Sequence, residues 1–135
     1  MNTVAAIQMT STPDLDHNLE VAAALLEDAA RRGAVIAGLP ENFAFMGLKE
    51  GDKRAVMETD GQGPIQDFLA ETARRLGMWI IGGTIPIETQ QRAAAACLVY
   101  DRNGERRARY DKIHLFDVNV PDSVEAHRES HSTQP

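Results

Sequence analysis

Two stretches of the chain repeat their apolar residues at three- and four-residue steps, the spacing of an amphipathic helix. The first covers residues 17–32, with Asp14 or Asp16 as its N-cap and Gly33 as its C-cap. The second covers residues 64–76, begins with a proline and is followed by a glycine. The repeating positions are Leu19, Ala22, Ala23, Leu26, Ala29 and Ala30 in the first, and Ile65, Phe68, Leu69, Ala73 and Leu76 in the second. The pattern predicts two helices.

Shorter apolar runs around these helices predict strands. The run from Ala34 to Leu39 has no polar alternation, as expected for a strand covered on both faces of a sheet. Asn103 and Gly104 favour a tight hairpin turn, which would pair residues 93–100 with residues 106–115. Further strands are predicted at residues 3–9 and 78–87, and a short helix around residues 50–58 before a break at residues 61–63. This order of elements predicts an α/β fold with a mixed sheet.

Lys112 lies on the last predicted strand, where alternation places it on one side with Ala108 and Tyr110. The opposite side, which we take as the solvated one, carries Arg107, Arg109 and Asp111. An ammonium on a covered face is costly to desolvate unless an acidic group or a substrate pairs with it, and Glu41 offers a carboxylate. Lys112 is therefore a functional candidate. The alternative is that it lies near the strand end and extends its head group into water.

Two glutamates complete the candidate set. Glu41 follows the predicted strand at residues 34–39, so it lies outside the carboxyl end of that strand, where open α/β sheets build their sites. Apolar walls there would disfavour its charged form and make it a better general base. The alternative is a surface carboxylate or a charge at a helix N-terminus. Glu129 lies in the polar segment at residues 127–130, and the local pattern alone assigns it no role.

Composition and charge exclude several classes of function. The chain has 135 residues, 43% of them hydrophobic, which suits one ordinary domain. A net charge of -6 and a pI near 5.1 leave no basic face for a nucleic acid or an acidic membrane. No run is long enough to cross a bilayer and no signal peptide is recognisable, so we expect a cytoplasmic protein. The single cysteine, Cys97, lies in an alanine-rich strand, where a thiol usually acts as a small hydrophobe, and we leave it out of the site.

Four segments taken together resemble the nitrilase superfamily of carbon-nitrogen hydrolases. They are VAAIQM at residues 4–9, LPENF at residues 39–43, WIIGGT at residues 79–84 and YDKIHLFD at residues 110–117. The fourth segment, with Val120-Pro121 and Arg128-Glu129-Ser130 after it, is most similar to the branch of omega-amidases and deaminated glutathione amidases.

The resemblance implies the N-terminal half of an α-β-β-α sandwich, with a mixed sheet and helices on one side. It also implies a catalytic set in which Glu41 matches the general base, Lys112 the lysine, and Glu129 the second glutamate that positions it. The cysteine nucleophile of the family lies beyond that second glutamate and has no match here, since Cys97 occupies a strand position that is not catalytic. The implied substrate is a small linear amide, with no metal or organic cofactor. Homodimers are frequent in the family, so we also expect a homo-oligomer.

The missing nucleophile leads to further expectations. We expect residues 1–135 to form a single, C-terminally truncated domain that is inactive alone, because the remaining groups only bind and polarise. An uncovered apolar sheet face would make such a chain associate. A fragment of a longer amidase is favoured over a natural short protein. The alternative function is a non-catalytic binding or assembly module, in which Glu41 and Lys112 form a structural ion pair.

Overall fold

The computed structural model describes residues 2–90, 92–119 and 126–133. It contains two α-helices, α1 (Leu15–Arg31) and α2 (Pro64–Leu76), and short 3-10 helices at Glu50–Val56 and Glu129–His131. The strands are β1 (Thr3–Ala6), β2 (Ala34–Gly38), β3 (Trp79–Ile81), β4 (Ile85–Glu88), β5 (Ala93–Tyr100), β6 (Arg106–Asp111), β7 (Asp117–Asn119) and β8 (Ala126–Arg128). The predicted mixed α/β fold is confirmed.

α2 begins and ends where the local signals indicated, whereas α1 begins at Leu15 rather than His17 and has Arg32 rather than Gly33 at its C-cap. The Asp14 carboxylate caps α1 by accepting the backbone N–H of His17 at 3.0 Å, which selects Asp14 over its alternative. At the other helix, Pro64 opens α2, and the buried Glu58 carboxylate accepts the first free backbone N–H groups. Gly77 ends α2 in a left-handed conformation with φ of 61°.

The strands form one mixed sheet and one small separate ribbon. In the large sheet, β1, β2 and β3 are parallel neighbours, and β5 runs antiparallel to β3, β4 and β6. β3 and β4 lie along one edge of β5, and β6 lies along the other. The ribbon consists of β7 paired with β8.

The single strand predicted at residues 78–87 is two strands, because the backbone breaks between Ile81 and Ile85. At Gly83 the φ angle is +57°, and a Cβ there would lie 2.0 Å from the carbonyl oxygen of Pro40. This close approach of two backbones requires glycine and interrupts the ladder with β5. β3 and β4 nevertheless continue along the same edge of β5, so the prediction was wrong about continuity and right about location.

The two faces of the sheet have opposite environments. Both helices contact the face that carries Ala37, Ile80 and Leu98, all of which are fully buried. The other face is open: Val4 is 69% exposed, Ile36 36% and Ile81 40%. The prediction that residues 34–39 are covered on both faces is therefore wrong for the described chain. The expected helices on one side and uncovered apolar face are both observed.

The sequence pattern wrongly predicts a covered face on β6, since its residues from Arg106 to Tyr110 are all exposed. β6 ends at Asp111 rather than Leu115, and the side chain of Tyr110 is exposed on the open face of the sheet. Arg109 lies opposite the buried Leu98 and pairs with Asp60 and Asp111. The reason is that β6 is an edge strand of the sheet, so even the arginine on the helix side stays partly exposed beside its carboxylate partners.

Candidate active site

Three segments distant in sequence converge beside β5 near Ala95, in the half of the strand that begins at Ala93. Glu41 follows β2 after a short Leu39-Pro40 connection, and Glu129 opens the 3-10 helix that follows β8. Lys112 comes directly after β6, and its backbone N–H donates to Ala95 at 2.9 Å, which extends the pairing with β5 by one residue. The structure thus brings together all three residues that the sequence singled out.

Lys112 lies between the two carboxylates and bonds to both. Its Nζ donates to Glu41 Oε1 at 2.8 Å and to Glu129 Oε2 at 2.9 Å. The two partners are 71 and 17 positions away along the chain. Charge-assisted bonds of this length are strong and directional, so the ammonium group is fixed by the fold rather than by its own flexible side chain.

The ammonium of Lys112 remains charged at neutral pH. Partial burial of Lys112 would lower its pKa, but the hydrogen bonds and charges of Glu41 and Glu129 raise the pKa above its ordinary value on balance. A lysine in this state donates hydrogen bonds and does not act as a base or nucleophile. The site therefore presents a fixed positive charge, suited to an oxygen that becomes negative during a reaction.

The two glutamates differ in exposure and in the bonds they make. The Glu129 side chain is 10% exposed, and its Oε2 accepts the backbone N–H of Phe116 at 2.7 Å as well as the Lys112 bond. Burial would raise the pKa of Glu129, but the Phe116 N–H and the charges of Lys112 and Lys53 lower it on balance, so the group stays ionised. The Glu41 side chain is 52% exposed. Glu129 is thus held in place, whereas Glu41 is accessible to a reacting group.

The position of Glu41 is fixed by the break between β3 and β4. Gly83 allows the Pro40 carbonyl to approach, the hydroxyl of Thr84 accepts the N–H of Asn42 at 3.1 Å, and Glu41 itself forms an isolated bridge with Thr84. Sequence reasoning assigned no role to Gly83 or Thr84. The signal was the Gly82-Gly83 pair inside an apolar run, a pattern typical of close backbone approach.

A small hollow, open to solvent, lies near the three charged residues, although none of the three lines it. Asn42 and Ala95 are in its wall, and these residues are respectively next to Glu41 and bonded to Lys112. Much of the remaining wall is apolar, but Lys53 contributes a second ammonium, whose Nζ donates to Thr133 Oγ1 at 2.8 Å. Sequence reasoning missed Lys53, since its short helix carried no motif.

Cys97 lies on β5 and is half-buried, paired in register with Tyr110. Burial raises the pKa of its thiol, which disfavours the thiolate that a nucleophile requires. Within the described part of the chain, no group of three or more His, Cys, Asp or Glu side chains is arranged to hold a metal ion. None of the described helices is long and apolar enough to span a membrane. Val120-Pro121 of the branch motif falls outside the described residues.

Comparison with known proteins agrees with this geometry. The family model for carbon-nitrogen hydrolases matches residues 3–134. A deaminated glutathione amidase from Synechocystis sp. is 41% identical over 121 residues, which are 87% of this chain and 44% of the relative. A chloroplastic omega-amidase from Arabidopsis thaliana is 32% identical over 124 residues, 90% of this chain and 34% of the relative.

Solved structures give the same result for the fold. The NitFhit protein of C. elegans superposes with a TM-score of 0.80 at 28% identity, covering 100% of this chain and 34% of that protein. The chain therefore spans less than half the length of the relatives that it matches.

Proposed function

Because the chain belongs to the carbon-nitrogen hydrolase family, we propose that it contributes the glutamate–lysine–glutamate part of an amidase site that hydrolyses a small linear amide. The observation that carries the proposal is the ammonium of Lys112 between Glu41 and Glu129. The names of the relatives, deaminated glutathione amidase and omega-amidase, support an amide substrate.

The exposure and bonding of each residue support its role. Glu41 is the general base, since its half-exposed carboxylate is accessible to a reacting thiol or water. Lys112 stabilises the oxyanion, because its charge is fixed and its pKa is raised. Glu129 positions Lys112 and does not exchange protons, because it is nearly buried and bonded to both Lys112 and Phe116.

The reaction proceeds in two steps. Glu41 accepts the proton of a cysteine thiol, the thiolate forms a bond to the amide carbon, and negative charge on the carbonyl oxygen is stabilised by Lys112. The carbon-nitrogen bond breaks, and ammonia leaves with the proton returned by Glu41. Glu41 then takes a proton from water, whose oxygen attacks the thioester carbon. The carbon-sulfur bond breaks, the carboxylic acid is released, and Glu41 returns its proton to the departing thiolate.

The cysteine of this mechanism is not Cys97. The raised pKa of Cys97 and its place within β5 argue against a nucleophilic thiolate, so we assign the nucleophile to a segment outside this chain. These 135 residues are then inactive alone, since a covalent mechanism without its attacking group loses most of its rate.

The test joins this chain to the part of the Synechocystis deaminated glutathione amidase that lies beyond the matched region, and measures ammonia release from a small α-keto amide. We expect turnover by the chimera and none by the chain alone. Glu41→Gln should lower the rate by about 100- to 10,000-fold, the usual contribution of a general base. Glu71→Gln, on the exposed surface of α2, is the matched control and should keep the rate of the unchanged chimera.

Two results would contradict the proposal. Near-normal turnover with Glu41→Gln would remove the assigned general base. Ammonia release by the 135-residue chain alone would show that the nucleophile is present in it. A folded but inactive chimera would instead favour the binding or assembly module.

A further inference from the structure

Two dipeptides beside the candidate site, Phe116-Asp117 and Glu129-Ser130, are joined by two pairs of hydrogen bonds. In the inner pair, the Phe116 N–H donates to Glu129 Oε2 at 2.7 Å, and the Glu129 N–H donates to the Phe116 carbonyl at 3.3 Å. In the outer pair, the backbone N–H of Ser130 donates to Asp117 Oδ1 at 3.0 Å and its hydroxyl donates to Asp117 Oδ2 at 2.7 Å. Asp117 thus uses both carboxylate oxygens on the residue that follows Glu129.

We propose that Asp117 is a positioning residue that holds the Glu129 carboxylate, and through it the Lys112 ammonium, in place. This role rests on the proposed amidase function, because Glu129 and Lys112 are groups of that site. Asp117 touches neither the substrate nor the reacting atoms in this assignment. It acts only through the backbone that joins it to Phe116 and the bonds that tie it to Ser130.

The backbone of Glu129 is held by the N–H groups of Ser132 and Thr133, which donate to its carbonyl at 3.1 and 2.9 Å, whereas the direction of its carboxylate depends on other donors. Its carboxylate is nearly buried, so its direction depends on the few donors that reach it, and one of these is the backbone N–H of Phe116. The direction of that N–H depends on how residues 116–117 lie against residues 128–130.

The β7–β8 ribbon that sets this arrangement pairs only three residues on each strand. Because a two-stranded ribbon of this length is marginally stable by itself, its geometry depends on added bonds. The two side-chain bonds of Asp117 are among these, together with the bond from Arg92 to the Ser130 carbonyl and the bridge between Ala93 and Thr133.

The charge state of Asp117 fits this role. The two bonds from Ser130 are the main cause that lowers the pKa of Asp117 below its ordinary value, so its carboxylate accepts both bonds at neutral pH. Neither bond involves Lys112, Glu41 or the wall of the hollow. The two Asp117–Ser130 bonds are therefore separable by mutation from the groups that bind or react.

The experiment measures the positioning directly on the 135-residue chain and requires no turnover. The pKa of the Glu129 carboxyl is followed by carbon NMR during a pH titration. Acylation of the Lys112 amine by an acid anhydride is followed by mass spectrometry. Asp117→Ala removes both acceptors, so Glu129 should lose the Phe116 bond, its pKa should rise toward the ordinary value, and Lys112 should react faster. Asp117→Asn keeps a carbonyl oxygen for the Ser130 N–H and should stay close to the unchanged chain.

Two further variants make the outcome decisive. Asp101→Ala removes a carboxylate that also accepts two backbone N–H groups, but at the opposite end of β5. It should change neither the pKa of Glu129 nor the acylation rate of Lys112. Ser130→Ala removes only the hydroxyl bond and should raise the pKa of Glu129 by less than Asp117→Ala. If Asp117→Ala does not fold, the Ser130→Ala result decides. An unchanged Glu129 pKa in the folded alanine variants, or equal effects of Asn and Ala at position 117, overturns the proposal.

In the chimera, loss of the Asp117–Ser130 bonds should affect the rate rather than substrate binding. Asp117→Ala is expected to lower kcat by up to about 100-fold with little change in KM, since a displacement of about 1 Å can cost that much. A chimera without any turnover would contradict the amidase function but leave the NMR result standing. A shifted Glu129 pKa with unchanged kcat would limit Asp117 to a structural role and overturn its assignment to the reaction.

Discussion

Both ends of β5 carry ion pairs, but they are assembled from different parts of the chain. At the Tyr100 end, the Asp101 carboxylate accepts the N–H groups of Asn103 at 2.8 Å and Glu105 at 3.1 Å, and Arg107 Nε at 2.6 Å. All of these partners lie within six positions of Asp101. At the Ala93 end, Lys112 bonds to carboxylates that are 17 and 71 positions away.

Under the proposed function, this difference separates a structural ion pair from a functional one. The bonds at the Tyr100 end close a hairpin turn that Asn103-Gly104 already favours, and both oxygens of Asp101 are occupied. Desolvation offsets most of the Coulomb energy of partly buried ion pairs, so stability alone does not explain why three distant segments bring Lys112, Glu41 and Glu129 together. At the Ala93 end, Glu41 remains half-exposed, which leaves one carboxylate accessible to a ligand.

Removing the cation at each end should give the largest contrast. In the chimera, we expect Lys112→Ala to lower amide turnover by about 100- to 1,000-fold, the usual effect of losing one oxyanion donor. Arg107→Ala removes the cation at the turn and should leave the rate near that of the unchanged chimera. Equal losses in the two variants would show that both act through stability, and would end the distinction between the two ends.

Two glycines with similar backbone angles test how the fold holds Glu41. Gly77, at the end of α2, has φ of +61° and open space where a Cβ would lie, whereas a Cβ at Gly83 would lie 2.0 Å from the Pro40 carbonyl oxygen. Gly77→Ala should therefore cost only the left-handed backbone, about 1–2 kcal/mol of unfolding free energy. Gly83→Ala adds the displacement of residues 39–41, and we expect it to cost more than about 3 kcal/mol.

Urea unfolding of the 135-residue chain measures both costs, and the chimera measures their effect on turnover. Gly83→Ala should also lower turnover, because Glu41 moves with Pro40, whereas Gly77→Ala should not. Equal unfolding costs at the two positions would mean that the approach of Pro40 to Gly83 does not hold this segment.

Local sequence signals predicted the elements better than their surroundings. The Asp14 cap, Pro64 and Gly77 act within a few residues, so both helices could be located directly. Which face of a strand is covered depends on elements elsewhere in the chain. For this reason the sequence pattern wrongly predicts covered positions for Ile36 and Tyr110.

The same sequence reasoning identified only part of the candidate site. Glu41 and Lys112 could be singled out from their places near strand ends, but Glu129 was identified only through the resemblance to a family. The Phe116 N–H that fixes Glu129 is a backbone group, which carries no sequence signal of its own. Thr84 and Lys53 act through tertiary contacts 42 and 80 positions along the chain, and these become visible only in the fold.

The response of stability to pH gives a smaller contrast between the two ends. The pKa of Glu129 is lowered, so its contribution is present above the ordinary glutamate pKa of about 4.3 and is lost as the pH falls through the folded value. Burial would raise the pKa of Asp101, but Arg107 and two backbone N–H groups lower it on balance. The ion pairs at both ends of β5 are therefore expected to contribute less stability in acid, and only alkaline conditions distinguish the two ends.

Above neutral pH, only the cation at the Ala93 end titrates. The pKa of Lys112 is raised, so its contribution is complete below the ordinary lysine value of about 10.4 and is lost as the pH rises through the folded pKa. Arg107 stays protonated throughout this range. Urea midpoints measured from pH 7 to pH 11.5 should fall less steeply for Lys112→Met than for the unchanged chain, and equally steeply for Arg107→Met. Tyrosines titrate in all three proteins and cancel in the comparison. Parallel curves for all three would mean that the two carboxylates do not hold the Lys112 ammonium more tightly in the folded state than in the unfolded chain.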